Sequence, residues 1–382
     1  MGGWAWMAAV SLVTAASPRG VAPTPAGSAE ERVSVLDMGA RGDGIADDTE
    51  AFARAAATGK TVVVPRPPAH YRVTRTIRLH ASIVGEGRPL VRMYGAAGRE
   101  SHAMLEVRGY RGPGLLIRGL HLDGQWDGAG TAGEWSHNVM VKGSRNVTIE
   151  DNVLERPYGD NVLIGGEGVP EPSEHVIVRR NRLLEPRRCA VAVISARGVL
   201  VEENVIRRRS TYVAAIDLEP NPNGLDAVWD VAVTGNDLDV AGIAIQVFTF
   251  GDRSPPSGRV TVSGNVARAA RFFVKPGETS AWEELTLTGN TFLGRSGDRN
   301  AFVEVSPPVR SVRILENRIH AVRAGGDRLV GIEGLEVRDN EWTGPRGYEV
   351  QVAGCPAARF ARNRITGFRA ALPPDAAAGA RD

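Results

Sequence analysis

Two acidic residues, Asp217 and Glu219, interrupt an otherwise apolar run, AAIDLEPN (214–221). On a β-strand, residues two apart point to the same side, roughly 7 Å from each other along the chain. Carboxyls at that separation suit a general acid and a general base with a water between them, the arrangement of an inverting glycosidase. Two carboxyls on one wall also repel, which raises one pKa toward the range a general acid needs. Asp160, in YGDN (158–161), is a third candidate catalytic carboxylate. Lys275, Gln246 and Asn161 are candidate substrate ligands, and Tyr158, Tyr212, Trp126 and Trp135 offer flat faces that suit sugar rings. Oxygen ligands on Asp160, Asp217 and Glu219 would also suit calcium. No His/Cys/Asp cluster has transition-metal spacing, so no metal site is assigned. His137 and His175 read as polar loop residues.

These residues must be positioned by a repeat. The pattern apolar-x-apolar-x-x-Asn-apolar recurs from VTIEDNV (147–153) to ARFARNR (358–364). Its asparagines are Asn152, Asn181, Asn204, Asn236, Asn265, Asn290, Asn317, Asn340 and Asn363. LLIRGLHLDG (115–124) is a degenerate earlier turn with Asp123 near the asparagine position. Each unit alternates apolar and polar residues, the period of a strand, and none has a helical period. A single unit cannot bury its apolar face, whereas stacked units can. The expected fold is therefore all-β: a single-stranded, right-handed parallel β-helix of about ten coils. The asparagine suits a sharp turn, because its side chain tolerates the left-handed conformation and can bond to the next coil. A second set of strands includes AVAVIS (190–195), AAIDLEP (214–220), GIAIQVF (242–248) and FFVKP (272–276). Ile216, Leu218, Ile243, Ile245, Phe272 and Val274 are expected to face inward. Asp160, Asn161, Asp217, Glu219, Gln246, Lys275 and Glu304 are expected on one outer face, with Asp160 two coils before Asp217 and Lys275 two coils after it.

The acidic stretch VLDMGARGDGIADDTEAF (35–52) is expected to be structural. A solenoid exposes an open core at its first coil, which must be capped. DDTEAFARAAA supplies a short capping helix with Phe52, Ala55 and Ala56 on one face, Asp47 as N-cap and Glu50 completing a capping box.

The bulk numbers narrow the alternatives. With 46 basic and 44 acidic residues, net charge +2 offers no argument for a nucleic-acid or membrane partner. The two cysteines, Cys189 and Cys355, would stand six coils apart, about 29 Å at the strand spacing and beyond disulfide reach. The expected organisation is a signal peptide with a Pro/Ala-rich linker (1–29), a β-helix domain (30–372) and a disordered tail (373–382). The localisation that follows is secreted or extracytoplasmic.

VLDMGARGDGIADDTEAFARAAA, GKTVVVP (59–65), YRVTRTIRL (71–79) and IVGEG (83–87) together resemble the entry segment of the pectate-lyase-like superfamily. Rhamnogalacturonase- and epimerase-like lyase domains, family 28 glycoside hydrolases and phage tailspikes share it. The resemblance implies the β-helix fold and a polysaccharide or oligosaccharide substrate. The chain has no Gly-His-Gly and no Arg-x-Lys where family 28 hydrolases carry them. The leading expectation is a secreted carbohydrate-active enzyme that hydrolyses glycosidic bonds with Asp217, Glu219 and Asp160, and needs no cofactor. The alternatives are a calcium-assisted polysaccharide lyase, with Lys275 as base, and a non-catalytic polysaccharide-binding β-helix.

Overall fold

The computed structural model describes residues 31–368 apart from 96–101, 130–134, 167–168, 249–255, 277–281, 297–298 and 306–308. The expected signal peptide and linker (1–29) and the expected tail (373–382) lie outside the described residues. Among the described residues, every coil but the first and last contributes one strand to each of three parallel sheets, of 13, 13 and 11 strands, in which neighbouring strands come from adjacent coils. The solenoid runs to about eleven turns. Arg145–Glu150, Val153–Glu155 and Val162–Ile164 illustrate one coil, contributing to the first, second and third sheets in turn.

The alternation read in the sequence fills a continuous apolar core. Val147 and Ile149, Val176 and Val178, Val199 and Val201, and Val231 and Val233 stack inward from the first sheet. Burial of such a column stabilises by about 1.5–3 kcal/mol per side chain. The first coil is closed by a single helix, Thr49–Ala57, which buries Phe52, Ala55 and Ala56. Asp48, not Asp47, occupies the N-cap position. Asp47 instead accepts from the Thr49 N–H (3.0 Å), and Glu50 pairs with Arg75. Asp48 turns back to accept the Arg41 and Gly42 amides at 2.6 and 3.2 Å. The acidic entry segment thus ties its own glycine turns to the cap.

The corner between the first and second sheets is an unbroken side-chain ladder. Each asparagine Oδ1 accepts both the main-chain N–H and the Nδ2 of the asparagine one coil earlier, as Asn265 does from Asn236 at 2.9 and 2.9 Å. Each Nδ2 also donates to a strand carbonyl, Asn265 to Val233 at 2.8 Å. The ladder runs from Asn152 to Asn363. The left-handed residue is the one before each asparagine: Asp151 (φ 56), Arg180 (φ 51), Glu203 (φ 52) and Gly235 (φ 63). The asparagine side chain is committed to the ladder, and its neighbour takes the strained turn at a cost of about 1–2 kcal/mol for a non-glycine. Leu120, rather than Asp123, holds the equivalent place in the earlier turn, where its N–H donates to Asn152 Oδ1 at 2.9 Å.

The third-sheet strands are shorter than the sequence suggests, for example Val191–Val193, Ile216–Leu218 and Ile245–Val247. Each is preceded by a bend at which two consecutive residues face the core: Ala215 with Ile216, and Ala244 with Ile245. This extra inward residue resets the parity. Ile243 is only half-buried, and Phe273 stacks in the core against Phe302, with ring centroids 5.0 Å apart; the side chains of Phe272 and Val274 lie outside the described residues. Cys189 and Cys355 are both free thiols.

Candidate active site

The corner between the second and third sheets is built differently. The loops after Val153–Glu155, Arg182–Leu184 and Val205–Arg208 lead into third-sheet strands, with Asp160 and Cys189 each two residues before theirs and Asp217 within its own. On the third sheet Asp217 stands in register with Ala192 one coil earlier and Gln246 one coil later, and Gln246 with Lys275. Ile216 and Leu218 enter the core, so Asp217 points outward. It is nevertheless only 1% exposed.

Asp217 and Glu219 do share one side of the strand, but their carboxyls are not held 7 Å apart. The two carboxyls act on one another closely enough that Glu219 is, after burial, the main cause raising Asp217, and carboxyls so placed favour holding one proton between them. The backbone repeat sets the distance between the Cα atoms, while the side chains converge beneath the loop cover. Burial, then the neighbouring Glu219, pushes Asp217 well above the usual carboxylate range. Burial also raises Glu219, and Asp217 partly offsets that rise. Asp217 is therefore the proton holder, and Glu219, the half-buried member, is the carboxyl within reach of solvent.

Asp160 behaves in the opposite way. It too is 1% exposed, but its Oδ1 accepts the Cys189 N–H at 2.8 Å and its Oδ2 lies 3.2 Å from His137 Nδ1. Burial opposes ionisation, yet His137, Arg188 and the Cys189 amide together hold Asp160 below the ordinary value. Asp160 is thus buried rather than on the solvent-facing outer surface where it was expected, with Oδ1 bonded to the Cys189 amide and Oδ2 beside His137. Asn161 is also corrected: it faces inward at the bend, fully buried, and accepts from Asn138 Nδ2 at 2.9 Å.

Residues outside the expected catalytic set complete the cluster. His137 is buried, and among the described residues its Nε2 has no hydrogen-bond partner. Arg188 Nε lies 3.9 Å from Asp160 Oδ1, and the Arg188 guanidinium covers the Trp135 ring at 4.8 Å. Cys189 Sγ lies 3.9 Å from Asp217 Oδ2. Arg208 occupies an inward position of VIRR (205–208), two residues after the buried Ile206, and is itself 1% exposed. The period-two alternation that marks Ile206 as core marks Arg208 equally, so the sequence did contain the signal.

Arg187, the chain neighbour of Arg188, joins Trp126, Arg156, Glu185, Arg209 and Tyr212 in lining a groove of about 780 Å³, and neither Asp217 nor Glu219 is in its lining. Tyr212 is 60% exposed, and the Arg187 guanidinium sits 5.1 Å from its ring centroid. Trp126 and Tyr212 both line this groove. Trp135 is exposed but lies under Arg188, and Tyr158 packs against the core beside His137, so neither lines the groove. Gln246 is half-buried next to Asp217; of Lys275 the backbone is placed, and its side chain lies outside the described residues. Further along the same outer column, Glu304 lines a separate recess of about 320 Å³.

Among the described residues no group of three or more His, Cys, Asp or Glu side chains is arranged to hold a metal. Among them, too, no helix is long and apolar enough to cross a membrane.

Comparison with known proteins agrees with this architecture. A family model described as "Rhamnogalacturonase A/epimerase, pectate lyase-like" matches residues 32–156. The A-module of mannuronan C-5 epimerase AlgE4 from Azotobacter vinelandii superposes with a TM-score of 0.70 at 18% identity, covering 90% of this chain and 98% of that one. An exopolygalacturonase from Thermotoga maritima superposes with a TM-score of 0.56 at 12% identity, covering 88% and 92%. The preneck appendage protein of Bacillus phage PZA is 24% identical over 264 residues, 62% of this chain but only 29% of its own length. The family model covers about a third of the chain, so the likeness to that family is confined to residues 32–156. The likeness to the solved structures is one of fold.

Proposed function

We propose that this protein is an extracytoplasmic polysaccharide-modifying enzyme that cleaves glycosidic bonds by hydrolysis at the Asp217–Glu219 pair. The observation that carries this reading is a proton-sharing carboxyl pair on a coil whose loop, at Tyr212, lines a groove together with Trp126. The aromatic faces hold sugar rings along the loops. Glu219 is the carboxyl that meets the glycosidic oxygen, and the proton it shares with Asp217 is the one a leaving group requires. Asp160, held ionised by His137 and Arg188, keeps that proton on the pair through its negative charge. The names of the solved neighbours, an epimerase and an exopolygalacturonase, support a carbohydrate polymer as the substrate.

A second reading rests on Arg156, Arg187 and Arg209 in the same groove. They suit a polymer bearing carboxylates. On such a substrate the pair would instead take a proton from the carbon next to the carboxylate, giving elimination or epimerisation. Incubation with a panel of neutral and uronate polysaccharides separates the readings. Hydrolysis yields new reducing ends without near-ultraviolet absorbance. Elimination yields both, and epimerisation yields neither but incorporates solvent deuterium. Binding of a glycan with none of the three outcomes would refute an enzymatic function.

A further inference from the structure

The recess that Glu304 lines lies on the third sheet, three coils beyond Asp217 and about 14 Å along the axis at the strand spacing. Glu304 and Arg328 stand in register on neighbouring strands and both line it. At the other end of the same sheet Arg78 and Glu106, in register likewise, close into an ion pair at 3.1 Å. Glu304 and Arg328 do not, and among the described residues neither has an ion-pair partner. Arg299 and Glu349 face the same space, and neither of them is ion-paired either. Two guanidiniums and two carboxylates thus surround one hollow without closing on each other. The hollow itself is left by Gly325 and Gly326, which the packing of adjacent coils requires. A Cβ on Gly325 would stand 2.0 Å from the Asn300 carbonyl oxygen, and one on Gly326 2.2 Å from that of Glu349. Asp327, between Gly326 and Arg328, turns its carboxylate into the core. There it accepts from the Phe302 and Val303 amides at 2.7 and 3.1 Å, from the Tyr348 hydroxyl at 2.7 Å and from Trp342 Nε1 at 2.8 Å. The segment that carries Arg328 is therefore held rigid, as a preorganised site requires.

The walls define what would fill the space. A guanidinium fork matches a carboxylate. Ionised Glu304 and Glu349 can only accept, so they call for donors, which hydroxyls supply. Gln351, whose Nε2 donates to Glu349 at 2.9 Å, adds an amide to the same wall. At about 320 Å³ the recess is at the small end of ligand pockets, suited to one small molecule or one unit of a polymer. We propose that it is a second binding site, for a carboxylate flanked by hydroxyls: a sugar acid or another hydroxy acid. The carboxylate lies on Arg299 and Arg328, and the hydroxyls donate to Glu304 and Glu349. The site shares no lining residue with the groove of Trp126 and Tyr212 and takes nothing from the reaction proposed above.

Isothermal titration of the whole protein with glucuronate tests this without any turnover. Glucuronate should bind with a dissociation constant of about 1 mM or tighter. Glucose, which lacks the carboxylate, and acetate, which lacks the hydroxyls, should each bind at least about tenfold more weakly. Arg299→Gln and Arg328→Gln should each weaken glucuronate by at least about tenfold, with the melting temperature unchanged. Gluconate, the open-chain counterpart, separates the two sources of the ligand. Tighter binding of glucuronate assigns the site to a sugar-acid unit, and equal or tighter binding of gluconate assigns it to a free hydroxy acid. The proposal is overturned if neither binds, or if both arginine variants bind as the wild type does. It is overturned equally if alanine, a zwitterion without hydroxyls, or inorganic phosphate binds as tightly as glucuronate. Because no cleavage is read, a polysaccharide panel without reaction would end the proposed function and leave this site standing, and failure here would leave the acid pair untouched.

Discussion

The two corners of this solenoid answer the same topological problem with opposite chemistry. Between the first and second sheets, one residue type is repeated coil after coil, and every amide group it brings is bonded. Between the second and third sheets, no polar residue type repeats down the whole stack. His137, Asp160, Cys189 and Asp217 follow one another on successive coils, with donors and acceptors unmatched among the described residues. The stacking that makes identical side chains form a ladder also makes different side chains form a site. A coil corner is thus spent either on stability or on chemistry, and the contrast can be broken experimentally.

The largest effect should come from the satisfied corner. Asn265→Ala orphans the Asn236 N–H and the Val233 carbonyl in mid-ladder. At about 1–3 kcal/mol for each buried group left unpaired, unfolding stability should fall by about 3 kcal/mol, measurable by denaturant titration. A cost below about 1 kcal/mol would mean that the ladder is ornamental.

A smaller effect is expected from the groove. Trp126→Ala and Arg187→Ala should each weaken glycan binding by about tenfold, with little change in melting temperature. Isothermal titration reads this directly. Only the Arg187 change should also reduce the salt dependence of binding to a charged glycan, since it alone removes a charge.

The smallest effect, and the one of opposite sign, belongs to the acid pair. Asp217 has its pKa raised in the folded protein, so its favourable contribution is present at low pH and is lost as pH rises through the folded value. Asp217→Asn removes that loss. The variant should therefore be more stable than the wild type at alkaline pH, by about 1 kcal/mol or some 2 °C in melting temperature, and the difference should shrink on acidification. Asp160 is lowered, so its contribution is present above the ordinary value of 3.8 and lost as pH falls through the folded one. Asp160→Asn should accordingly destabilise at neutral pH. If both variants shift stability in the same direction at neutral and alkaline pH, the two carboxyls have been assigned the wrong states.

Legibility in the sequence followed the same division. The ladder could be read because a repeat converts one weak signal into nine aligned ones. Asp217 and Glu219 could be read because acids are conspicuous in an apolar strand. Their close approach could not, since side-chain convergence depends on the loops that cover them. Asn161 and Ile243 were misplaced for a single reason: the bend before the third sheet turns two neighbouring residues inward and breaks the period-two count. Arg208 was missed although the alternation places it inward, because an arginine next to another arginine reads as surface.

The central claim is that Glu219 serves chemistry and not the fold. Its most direct test is Glu219→Gln assayed beside Asn265→Ala, with turnover on the glycan that the wild type modifies and thermal melting recorded on the same samples. Glu219→Gln should lose about a thousandfold or more in turnover while melting at or above the wild-type temperature. Retained turnover, or a fall in melting temperature matching that of Asn265→Ala, would contradict the claim.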